Sequence, residues 1–89
     1  MTNKNKRGIA KMHWFEEDKD VEPLQAVKRA CRHYHRKYEQ VPKLVELPPS
    51  WRSFTDELED QLEGLTLSTD ALLQPRTVAV THITESEAE

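Results

Sequence analysis

The residues best equipped for chemistry lie together in "CRHYHRKY", residues 31–38. Cys31 and His35 stand at i, i+4. On a helix this spacing sets two metal ligands, or a thiol and a base, on one face. A tetrahedral site needs two further ligands. The other histidines, His13, His33 and His82, supply no second close pair, and on a helical wheel His33 points away from Cys31. A nucleophilic cysteine needs an accessible thiolate beside a base. Cys31 instead falls on an apolar stripe, where burial raises the thiol pKa and blocks access. It reads as a small core hydrophobe with His35 at its rim. The sequence therefore assigns no catalytic residue, no metal ligand and no cofactor, and the chain is read as a non-enzyme.

The basic residues carry a stronger signal. Lys28, Arg32 and Arg36 recur four apart, and Arg29 and His33 lie beside them, away from the core stripe. Like charges at i, i+4 repel by about 0.2–0.5 kcal/mol per pair, so something is expected to oppose them. One candidate is phosphate. Lys28, Arg29, Arg32, His33, Arg36 and Lys37, with Lys4, Lys6 and Arg7 of the N-terminal tail, then form a nucleic-acid-binding surface. The competing candidate is internal: Asp56, Glu57, Glu59, Asp60 and Glu63 form the outer side of a second helix, whose edge can meet the basic one. An acidic protein partner is the third.

The element that positions "CRHYHRKY" is a helix opened by Pro23, a residue suited to a first turn, and running to Glu39. Leu24, Val27, Cys31, Tyr34 and Tyr38 form its stripe, widened by Ala26 and Ala30. Pro42 ends it by pushing Val41 toward extended geometry. "KLVEL" (43–47) reads as a strand. A second helix is expected over about 54–63, capped by Ser53 or Thr55 and closed by Gly64. "LTLST" (65–69) and "TVAVTHI" (77–83) alternate as strands and are expected to form a hairpin. Val45/Leu47, Leu65/Leu67 and Val78/Val80 supply one apolar sheet face. Thr, Ser and Ala dominate the other. The fold class is thus α+β: two helices packed on one face of a three-stranded sheet, in the order helix-strand-helix-strand-strand.

Residues 1–22 read as a flexible basic and aromatic arm with an acidic linker, 23–83 as the single α+β domain, and 84–89 as a disordered acidic tail. Within the arm, "IAKMHWF" (9–15) alternates. It suits either an edge strand or an anchor for a partner built on Met12, Trp14 and Phe15, since aromatics dominate interface energetics. Trp14 and Phe15 serve equally to staple the arm onto the domain. "PPSW" is a turn, with Trp51 covering one end of the core.

Eighty-nine residues make one small domain, marginally stable alone, because chains this short bury only roughly 60% of their unfolded surface. The net charge of −3 hides a division. Residues 1–43 carry 11 Lys/Arg and 6 Asp/Glu, and residues 44–89 carry 2 and 10. A single cysteine excludes an internal disulfide and fits a reducing cytosol. No apolar run has the length of a membrane span. No apolar h-region follows the basic N-terminus, so no secretory signal is read and the expected location is cytoplasmic. The two glycines are isolated, so no phosphate-cradling loop exists. No paired-carboxylate or Ser-His-Asp arrangement is recognisable. The expected function is a small non-catalytic accessory or interaction protein, acting as a homo-oligomer or within a larger assembly. The alternative is nucleic-acid binding through the basic helix face. No membrane or small-molecule partner is expected.

Overall fold

A computed structural model describes residues 11–82 of the chain. The order of elements is β1 (Met12–Phe15), α1 (Pro23–Tyr38), β2 (Leu44–Leu47), a 3-10 helix (Pro49–Phe54), α2 (Thr55–Gln61), β3 (Thr66–Thr69) and β4 (Thr77–Thr81). The result is a small α+β fold with two α-helices and a four-stranded mixed sheet in the order β1-β4-β2-β3. No helix among the described residues is long and apolar enough to cross a membrane.

Two features of this sheet depart from the sequence expectation. The strands number four, because residues 12–15 form β1 and pair antiparallel with β4, Met12 opposite Val80 and Trp14 opposite Val78. The expected β3–β4 hairpin is absent. β3 instead runs parallel to β2, Val45 opposite Leu67, and β4 lies antiparallel to β2 on its other side. The physical reason lies in the connections and in burial. Residues 48–65, with the 3-10 helix and α2, give the crossover that a parallel pair requires. β4 is buried on both faces through Val78, Ala79 and Val80, so it takes a central position. β3 exposes Thr66 and Ser68 and takes an edge.

Both helices lie on one sheet face, and the core forms between the layers. Val45, Leu47, Leu67, Val78 and Val80 from the sheet meet Ala26, Val27, Ala30 and Tyr34 of α1 and Leu58 of α2. The centre of the α1 contact is rotated from the expected stripe. Ala26 and Ala30 are fully buried, whereas Leu24, Cys31 and Tyr38 are only partly so. Val27 and Tyr34 of the expected stripe are fully buried beside the two alanines, and Leu24, Cys31 and Tyr38 pack against the cluster from its margin. Trp51 closes one end of the core.

Helix ends follow local chemistry only in part. Pro23 occupies the first turn of α1 as expected, after Glu22, whose side chain makes no cap hydrogen bond. The expected Ser53 or Thr55 cap is not formed. The 3-10 helix runs straight into α2, and the Thr55 hydroxyl donates to the Arg52 carbonyl at 2.7 Å. Gly64 has φ +80, the left-handed geometry that favours glycine after a helix. Glu39 adopts φ 58 at the C-terminus of α1 and donates its N–H to the His35 carbonyl at 2.8 Å.

Candidate functional site

Phe15 heads the short acidic turn that joins β1 to α1, and Glu16, next to it, is almost wholly buried at 3% exposure. A carboxylate that deep must be satisfied by donors. Three converge on it: the Arg29 guanidinium at 3.0 Å, the Asp18 N–H at 3.1 Å and the Trp14 indole N–H at 3.4 Å. Its backbone is clamped to Arg76 as well. Glu16 N–H donates to the Arg76 carbonyl at 2.9 Å, and the Arg76 guanidinium donates to the Glu16 carbonyl. Arg76 holds φ 64 to make that clamp. Sequence reasoning assigned Glu16 only to the acidic linker. Its spacing of two from Trp14, on the same side as the inward residues of β1, was the available signal for burial.

This hub redistributes the residues considered for binding. Trp14 packs inward against the core and also against the His33 ring, with centroids 4.3 Å apart. Met12 joins it on the inner side of β1. Phe15 points the other way and is 57% exposed. The three residues therefore do not form one anchor: two belong to the core and one faces solvent. A groove of ≈ 340 Å³ lies beside them, flanked by Phe15, Glu17, Asp18 and Arg29.

The basic residues divide likewise. Arg29 is held by Glu16, His33 lies against Trp14, and the Lys37 ammonium sits 5.4 Å from the Tyr38 ring centroid. Lys28, Arg32 and Arg36 are exposed along the crest of α1 and make no ion pair with a described residue. Lys4, Lys6 and Arg7 lie outside the described residues.

The acidic helix does not neutralise that crest. No ion pair among the described residues joins α1 to Asp56, Glu57, Glu59, Asp60 or Glu63. A groove of ≈ 530 Å³ lies between α1 and residues 62–65, which follow α2. Its floor is apolar, formed by Cys31, Pro42, Leu62 and Leu65, with Val41 beside them at 66% exposure. Lys28 and Arg32 stand on one rim and Glu63 on the other. Lys28 and Arg32 of α1 and Glu63 of the turn after α2 thus place opposite charges on the two sides of one apolar channel.

Burial pushes the Cys31 thiol up from 9.0 to about 11, so at neutral pH it is a protonated thiol and a poor nucleophile. His35 is exposed. His82 is engaged elsewhere: its Nδ1 lies 2.5 Å from the Tyr34 hydroxyl, which also accepts the His82 N–H at 3.0 Å. Burial raises the Tyr34 phenol above its ordinary value, consistent with a hydroxyl that ties α1 to the end of β4. The four histidines are dispersed, and among the described residues no three of His, Cys, Asp and Glu converge as metal ligands would. On the uncovered sheet face, Lys11 approaches Glu46 at 3.1 Å, and His13 and Glu46 flank Ala79 from opposite sides.

Comparison with models of protein families, with curated proteins and with solved structures found no match to this chain.

Proposed function

We propose that the protein is a non-catalytic interaction module, acting as a homo-oligomer or as a subunit of a larger assembly. One observation carries this reading: an apolar groove lies open between α1 and residues 62–65, with Lys28 and Arg32 on one side and Glu63 on the other, and no ion pair among the described residues joins them. Exposed apolar surface rimmed by charge is the makeup of an interface, with its apolar centre and polar border. The protonated Cys31 thiol and the scattered histidines favour binding over nucleophilic chemistry. The test is light scattering across protein concentration, with absorbance read at 260 and 280 nm. Self-association or a stoichiometric partner supports the reading. A monomer that binds neither itself nor any other chain sinks it.

A second reading rests on the crest of α1. Lys28, Arg32 and Arg36 recur every turn, about 6 Å apart, and no described acid opposes them. Such a ridge suits the phosphate backbone of a nucleic acid. It predicts binding that weakens steeply with salt, with a log–log slope near −3 for about three phosphate contacts, and is lost in a K28E/R32E/R36E variant. Binding that ignores salt or survives that variant excludes it.

A further inference from the structure

We infer that the groove between α1 and residues 62–65 is closed by a second copy of the same chain, in an isologous dimer whose two-fold axis runs along the groove. The inference rests on the interaction-module reading and names its partner. A two-fold axis lying along the channel turns the basic bank of one copy onto the acidic bank of the other. Lys28 and Arg32 then face Glu63 of the second copy, and the reverse contact forms on the far side. The apolar floors meet in between, covering Leu62, Leu65 and the exposed Val41. Each copy carries both halves of the complement, so no other molecule is needed to satisfy either bank. The small apolar area makes this a salt-sensitive association, in which charge sets the register. The open edge of β3 offers another route to self-association, but its exposed Thr66 and Ser68 carry no charge and would not respond to changes on the banks.

The test exchanges the charges. K28E/R32E and E63K alter only exposed side chains, and circular dichroism confirms that each variant folds. Dimer dissociation is measured by sedimentation equilibrium. Each variant alone sets like against like on both sides, and its dimer weakens by about 10- to 100-fold. An equimolar mixture of the two restores one matched pair on each side, so a one-to-one heterodimer returns. The combined K28E/R32E/E63K chain regains self-association for the same reason. A dimer indifferent to both variants overturns the groove-to-groove arrangement but leaves the interaction-module reading standing, with β3 as the next interface to test. Loss in each variant without recovery in the mixture also overturns it, because the two sides of the groove then do not face each other across the dimer. A chain that is monomeric and binds nothing removes both.

Discussion

At the scale of single residues, the fold depends on a few polar groups buried with their partners. Glu16 has three donors to its carboxylate, and Arg29 is the charged one. Replacing Arg29 with Met leaves that carboxylate short of a donor and should lower stability by about 1–3 kcal/mol in thermal unfolding. An unchanged melting temperature would show that the Glu16 hub contributes nothing. Tyr34 supplies a second such point. Tyr34→Phe removes the acceptor of the His82 N–H and should cost a similar amount, about 1–3 kcal/mol. Cys31 makes a pH-dependent prediction. Its pKa is raised in the folded state, so the neutral thiol stabilises the fold below about pH 9, and that contribution is lost as pH rises toward about 11. Urea unfolding between these values should show the wild type losing stability faster than Cys31→Ala. Parallel loss in the two proteins would place the thiol in solvent.

At the scale of elements, two of the three residues with left-handed backbone, Gly64 and Glu39, should respond in opposite directions. Gly64, at φ +80, has open space where a Cβ would project, with no atom within 4 Å, so Gly64→Ala tests conformation alone and should cost about 1–2 kcal/mol. Glu39, at φ 58, bears that strain already, and Glu39→Gly should relieve roughly 1 kcal/mol. Denaturant midpoints that move in the same direction for both would contradict the turn geometry. The helices were legible in the sequence because Pro23, Pro42 and Gly64 punctuate the 3.6-residue period. The apolar face of Val45, Leu47, Leu67, Val78 and Val80 was legible from alternation. The strand order was not. Alternation reports which side of a sheet a residue faces and says nothing about which strand lies next to which. The signal that did exist was the small apolar character of both faces of "TVAVT", which suits a central strand, against the Thr and Ser of "TLST", which suit an edge. On α1 the wheel set Ala26 and Ala30 at the margin of the stripe, whereas the structure buries them fully beside Val27 and Tyr34.

At the scale of the whole molecule, the division of charge along the chain becomes a division across space. Lys28 and Arg32 of the α1 crest and Glu63 after α2 stand on opposite sides of a groove, and no ion pair among the described residues joins them across it. Sequence supplied the two charge sets; the gap between them required the structure, because helical spacing fixes faces and not the distance between helices. Part of the basic set proved to be occupied, Arg29 by Glu16 and His33 by Trp14, which leaves Lys28, Arg32 and Arg36 as the exposed ridge. If the groove is an interface, association should weaken as salt screens its banks, since the Debye length falls from about 30 Å at 0.01 M to about 3 Å at 1 M. The most direct measurement is therefore the light-scattering mass of the untagged protein over a concentration series at low salt. The account predicts a mass that rises from 10.4 kDa toward twice that value, with a protein-like absorbance ratio and reversal at high salt. A mass of 10.4 kDa at every concentration, with no other molecule bound, would contradict it.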